Sequence, residues 1–144
     1  MESGARIRLI LSRAAKAIDD ADRASIVETG LNISDFSILE ALLHKGPLPI
    51  NTIGEKVLLT SGSMTAAANR LEKKDLVKRI QDPSDGRCFY LHLTKSGRQL
   101  IKRVFKKHSA NLEKIAGILT AEERNELVRL LKKVGQHAQN LDLT

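Results

Sequence analysis

The sequence predicts a mainly α-helical fold with one small β-hairpin. Three observations predict it. Apolar residues recur at three- and four-residue intervals near both ends. Two short helical patterns flank a polar break in the middle, and a Pro- and Gly-containing turn separates two short alternating runs.

The first helix is expected from Arg6 to about Ala24, where Ile7, Ile10, Leu11, Ala14, Ile18 and Ala21 share a face. Gly30 ends that pattern. Ser34 can cap a second helix carrying Phe36, Ile38, Leu39, Leu42 and Leu43, which stops at Gly46-Pro47. A two-turn run from Ile50 to Val57 follows, with Ile53 and Val57 on the inner side. Thr60 or Ser61 then caps a helix reaching Lys74, whose Met64, Ala67, Ala68 and Leu71 face inward. Two short helices across a tight turn make a helix-turn-helix.

Leu76 to Gln81 reads as a strand, Asp82-Pro83-Ser84-Asp85-Gly86 as a turn, and Cys88 to Leu93 as a returning strand. On that return strand Phe89, Leu91 and Leu93 form one face, expected to be covered, and Cys88, Tyr90 and His92 the other. Thr94 can cap a long helix running from about Lys95 toward Gly117. Thr120-Ala121-Glu122-Glu123 is a capping box opening a last helix with Leu127, Leu130, Leu131 and Val134 on one stripe. The expected fold is therefore a winged helix-turn-helix domain plus N- and C-terminal dimerisation helices. Residues 30–107 are expected to form the winged helix-turn-helix, DNA-binding domain, and residues 1–29 and 108–144 a helical dimerisation region, because both terminal helices need a partner surface that a second copy would supply.

At 144 residues the chain has room for one modest core, and 3% aromatic content without Trp fits aliphatic helix packing. No run approaches the roughly 18 apolar residues of a membrane span, and Met1-Glu2-Ser3-Gly4 does not open a signal peptide. A cytoplasmic protein without membrane association is expected. Cys88 is the single cysteine, so no internal disulfide or Cys-based zinc site can form, and the four histidines lack ligand spacing. No metal, cofactor or catalytic residue is expected: there is no nucleophile beside a base, no Gly-rich phosphate loop and no paired carboxylates in an apolar setting.

Net charge is +7, and it is unevenly spread. Between Arg70 and Lys107 lie twelve basic and four acidic residues, while the flanking segments are close to neutral. Such a basic block suits a polyanion, and it equally describes a solvated face. Helical geometry places Gly62, Ala66, Asn69, Arg70 and Lys73 opposite the apolar side of their helix, flanked by Ser63 and Thr65. Gly62, Ser63 and Ala66 allow close backbone approach. Ser61, Ser63 and Thr65 can bond phosphate or base edges, and Asn69 and Arg70 are types that read adenine and guanine. The same residues also describe an ordinary capped surface helix. Arg79, on the outgoing strand, is a further candidate DNA contact, and Arg87 follows the turn at the wing's shoulder, where it suits a narrow minor groove. Asp85 is placed to orient its guanidinium through an ion pair, or the two form a plain turn-stabilising pair.

These residues resemble the MarR family of bacterial regulators. The resemblance is carried by Ser34-Asp35-Phe36-Ser37-Ile38-Leu39, Met64-Thr65, Arg70-Leu71-Glu72-Lys73-Lys74, Leu76-Val77-Lys78-Arg79, Asp82-Pro83-Ser84-Asp85-Gly86-Arg87 and Leu91-His92-Leu93-Thr94-Lys95-Ser96-Gly97. It covers nearly the whole chain. It implies a homodimer, a recognition helix at residues 61–74, Arg87 in the minor groove and a palindromic operator in double-stranded DNA. The expected function is a regulator, a repressor released by a small phenolic or aromatic ligand, with Arg13, Phe36 and His44 as candidate lining residues. Alternatives are redox release through Cys88, or a winged-helix module that binds an acidic protein. Two positions depart from the family pattern: Ala66 stands where Arg is frequent, and Asp75 where Gly is usual, so Asp75 must accept a left-handed turn.

Overall fold

A computed structural model describes all residues, 1–144. Its elements in chain order are α1 (Gly4–Val27), α2 (Ile33–Lys45), β1 (Leu48–Pro49), α3 (Ile50–Lys56), α4 (Ser61–Lys73), β2 (Val77–Asp82), β3 (Asp85–Leu93), α5 (Lys95–Ala116) and α6 (Ala121–Asn140). The chain divides into two compact units, Met1–Ser109 and Ala110–Thr144. No helix is long and apolar enough to cross a membrane.

In the first unit the core gathers Ile38, Leu39 and Leu42 of α2, Ile53 of α3, Met64 and Leu71 of α4, Leu91 of β3 and Ile101 of α5, all fully buried. These are the positions at which helical spacing concentrates aliphatic side chains, and their burial is the main stabilising term. α2 is capped by Asn32, whose side chain accepts from the Asp35 backbone N–H at 2.8 Å. Ser34, the expected cap, lies inside the first turn instead, because the helix starts two residues earlier. Gly46, at φ +77°, closes the helix as expected.

Thr60 caps α4, and two residues beside this helix take left-handed backbone, Leu58 before it at φ +61° and Asp75 after it at φ +59°. The second is the cost anticipated where the family prefers Gly. The β-sheet has three antiparallel strands in the order β1-β3-β2. β1, absent from the sequence reading, is two residues long and pairs Leu48 with Leu91 and Pro49 with Tyr90. Two residues are too few to show alternation.

The hairpin register runs from Val77↔Leu93 to Asp82↔Asp85, so β3 begins inside the expected turn. Phe89 is exposed rather than covered. It pairs with Gln81 near the tip, beyond the reach of the core, which ends at Leu91. Thr94 performs the capping expected of it: its hydroxyl accepts from the Gly97 N–H at 2.9 Å and donates to the Asp75 carbonyl at 2.7 Å.

At the open end of α1, Asp22 is buried and hydrogen-bonded by Ser25 at 2.9 Å and by His108 of α5. The His108 ring meets Phe36 edge-on, with centroids 4.8 Å apart. Along the rest of α1, Ile7, Ile10, Leu11 and Ile18 are exposed. In the second unit the capping box of α6 is complete, with Thr120 and Glu123 each satisfying the other's backbone N–H. Leu127, Leu130, Leu131 and Val134 of α6 are exposed.

Candidate nucleic-acid interface

The outer side of α4 carries the residues that spacing assigned to it. Ser61, Gly62, Ser63, Thr65, Ala66, Asn69 and Lys73 are exposed, while Met64, Ala67, Ala68 and Leu71 are buried. The first two turns are small and polar. The Ser63 N–H donates to the Thr60 hydroxyl, and the Thr65 hydroxyl donates to the Ser61 carbonyl at 3.0 Å. The arrangement leaves a helix surface that a second backbone can approach closely, with hydroxyl oxygens available as acceptors.

The wing stands beside this surface. Thr65 of α4, Arg79 of β2, and Asp85, Arg87, Cys88 and Phe89 of β3 line one cleft of about 520 Å3, together with Pro49, Ile50 and Asn51. The cleft thus joins a residue of α4 to the wing-tip cation. Arg87 is 98% exposed.

Asp85 does less to orient Arg87 than expected. Its carboxylate lies 3.9 Å from the guanidinium, but it accepts from the Arg87 backbone N–H at 3.0 Å. The acid shapes the turn, and the guanidinium extends into solvent. The remainder of the tip is held by local bonds. Asp82 accepts from the Ser84 N–H at 2.9 Å and from its hydroxyl at 2.7 Å, which holds the Asp82 carboxyl below its ordinary pKa. Gln81 reaches across to donate to the Gly86 carbonyl at 2.6 Å.

Two arginines of the expected contact set are engaged within the protein. Arg70 was expected to read a base, yet its guanidinium donates three bonds to Asp35 of α2, one at 2.8 Å and two at 3.3 Å. Asp35 is 1% exposed, and its hydrogen bond raises the pKa of Arg70. Arg79 donates to Glu72 at 2.9 Å and to the Asn69 side-chain oxygen at 2.7 Å. A guanidinium carries only donors, so it requires that oxygen of Asn69. That bond turns the Asn69 side-chain oxygen toward Arg79, so a two-bond adenine contact would have to share this oxygen with the guanidinium. Asp35, 35 residues from its partner, was not legible because no local pattern joins the two.

The residues proposed to line an effector site do not converge. Phe36 borders a cleft of about 290 Å3 with Asp22, Arg23, Glu40 and His108. His44 borders an open groove of about 430 Å3 with Ser37, Glu40, Lys56 and Val57, and packs edge-on against Phe105. Arg13 lies on exposed α1 and borders neither. The basic residue beside Phe36 is Arg23, which sequence spacing did not distinguish from its neighbours. Cys88 is half-buried and unpaired. No group of three or more metal-ligating side chains is present.

The model of the MarR family matches residues 31–89. The chain is 36% identical over 138 residues to the HTH-type transcriptional regulator MhqR of Bacillus subtilis, covering 96% of this chain and 95% of that one. It superposes on a MarR mutant from E. coli complexed with operator DNA with a TM-score of 0.80 and 20% identity, covering 90% of this chain and 93% of the other. A structure of NadR in complex with 4-hydroxyphenylacetate gives a TM-score of 0.78 and 24% identity over 92% of this chain and 93% of the other. At these identities the two structures establish the shared fold.

Proposed function

The chain belongs to the MarR family of winged helix-turn-helix transcriptional regulators, and from that membership we propose that it is a repressor that binds a palindromic operator as a homodimer. It is a DNA-binding regulator and not an enzyme. In this reading α4 enters the major groove with Ser61, Ser63, Thr65 and Ala66 nearest the bases and Lys73 at the backbone, while Arg87 enters the adjacent minor groove. Residues 30–107 carry the DNA contacts, and residues 1–29 and 108–144 hold two copies together.

The observation that carries the reading is the cleft shared by Thr65 and Arg87. It puts a small-residue helix surface and a free cation on the same flank of the domain. A phosphate backbone passing between them would bring both grooves within reach. The test is a titration of the full chain against duplex from its own upstream region and against a scrambled duplex, near physiological salt. Cognate binding at least about a thousandfold tighter, weakened by Arg87→Ala, supports the proposal. Equal weak binding of both, with no enriched sequence from a random library, overturns it.

We further propose release by a small aromatic ligand, as the NadR complex with 4-hydroxyphenylacetate illustrates for that protein. The Phe36 cleft suits it, with Arg23 available for a carboxylate. A thermal-shift screen of phenolic and aromatic carboxylic acids against wild type and Arg23→Ala tests this. A second reading, redox release through Cys88, rests on the thiol lining the same cleft as Arg87. Peroxide that weakens operator binding by wild type and not by Cys88→Ser would favour it.

A further inference from the structure

Two arginines that spacing places among the DNA contacts are instead tied to opposite sides of α4. We propose that Arg70 and Arg79 are positioning residues, which fix how α4 is rotated and how far the wing stands from it, and that neither contacts DNA. The inference rests on the operator-binding reading above.

On the inner side, the Asp35 carboxylate is fully buried on α2, and Arg70 is the cation paired with it. Moving the guanidinium to a guanine or a phosphate would leave a buried carboxylate uncompensated, which is far costlier than losing an exposed pair. The three-bond fork also fixes orientation, since a planar guanidinium meets a carboxylate in few geometries. Arg70 therefore sets the rotation of α4 about its own axis, and with it which residues face outward.

On the wing side, one residue of β2 holds two of α4. Arg79 donates through its side chain to Glu72 and Asn69, and its backbone N–H donates to Glu72 at 3.2 Å. Strand and helix are thereby tied across the last turns of α4. Glu72 neutralises the guanidinium locally, so Arg79 adds little free charge for a phosphate. The minor-groove cation, Arg87, sits eight residues further along the same hairpin, and its reach depends on this spacing.

Positioning and contact differ in what DNA reports. A phosphate contact contributes about 0.9 to the slope of log affinity against log salt, whereas a positioning residue contributes nothing to it. A base contact affects one base pair, whereas a mis-set helix weakens preference across the half-site. The experiment measures the full chain on operator and scrambled duplexes at several salt concentrations, with random-library selection. The proteins are wild type, Arg79→Gln, Glu72→Arg with Arg79→Glu, Arg70→Lys, Asp35→Asn with Arg70→Gln, and Arg87→Gln as the contact control.

The expected result is a fall of about tenfold or more in the operator-to-scrambled ratio for Arg79→Gln and Arg70→Lys. The salt slope stays unchanged, and preference is lost across the half-site. The Glu72/Arg79 exchange, which remakes the ion pair but not the backbone bond to residue 72, recovers part of the ratio, and Arg87→Gln lowers the slope by about 0.9. A slope change for Arg79→Gln or for the neutral Asp35/Arg70 pair, or a preference lost at one base pair alone, overturns the inference. Arg79→Gln and Arg70→Lys keep it falsifiable if the buried double variant does not fold. A wild-type ratio near one overturns the operator-binding reading itself, and this inference falls with it.

Discussion

Gly97 lies against the backbone of Leu76: a Cβ added at Gly97 would fall 1.9 Å from the Leu76 carbonyl oxygen. That carbonyl already accepts from the Thr94 N–H at 3.1 Å, and the Thr94 hydroxyl bonds both Gly97 and Asp75. The start of α5 is therefore seated directly on the residue between α4 and β2. Gly97→Ala forces backbone against backbone, where no rotamer can give way. We expect a loss of about 3 kcal/mol in unfolding free energy, read as a lower denaturant midpoint at unchanged slope. Gly62→Ala, with nothing within 4 Å, should stay within about 0.5 kcal/mol of wild type.

Backbone strain gives a prediction of the opposite sign. Leu58, 91% exposed, and Asp75 both hold left-handed backbone, a conformation that costs an L-residue roughly 1 kcal/mol. Leu58→Gly and Asp75→Gly should each raise stability by about 0.5 kcal/mol, because relief of strain outweighs the added freedom of the unfolded chain. Thermal melts would show it. A lower melting temperature for Leu58→Gly would mean that the leucine makes a contact offsetting its strain.

Much of this architecture could be read from spacing alone, since every helix carries a three-to-four periodicity and Thr60, Thr94 and Thr120 announce their capping roles. What escaped is non-local or too short. β1 has two residues, and its existence depends on Leu91 lying opposite Leu48. Asn32 and Ser34 are both good caps, and only the start of α2 decides between them. Phe89 continues an apolar alternation that the core does not extend to meet. Arg70 and Asn69 are on the outward arc of α4 as spacing requires, but their hydrogen bonds run to Asp35 and Arg79 in other elements. Exposure was legible, and commitment to a partner was not.

The wing tip should respond to acid. Hydrogen bonds from Ser84 hold the Asp82 carboxyl below its ordinary pKa of 3.8. A depressed carboxylate stabilises the fold above its unfolded pKa, and that contribution is lost as pH falls through the folded value. The turn should therefore keep its structure at neutral pH and loosen only on acidification below about 4. Asp82→Ala should produce the same loosening at neutral pH. Amide exchange at Ser84 and Asp85 would report both, and an acid-insensitive turn would show that the Ser84 bonds do not order it.

The exposed apolar stripes yield the prediction on which the assembly depends. Ile7, Ile10, Leu11 and Ile18 of α1, and Leu127, Leu130, Leu131 and Val134 of α6, remain accessible in the isolated chain. Amphipathic helices do not retain such faces in water without a partner. In the homodimer proposed above, a second copy would supply identical faces and close the assembly with two-fold symmetry. Leu130→Glu with Leu131→Glu should leave helix content near wild type, because neither side chain belongs to the core, while shifting sedimentation from dimer to monomer at micromolar concentration. Operator affinity should fall by about a hundredfold or more, since one half-site then binds without the effective concentration that the linked partner provides. Ile10→Glu tests the α1 stripe in the same way. A variant that remains dimeric with intact operator binding would remove that stripe from the interface.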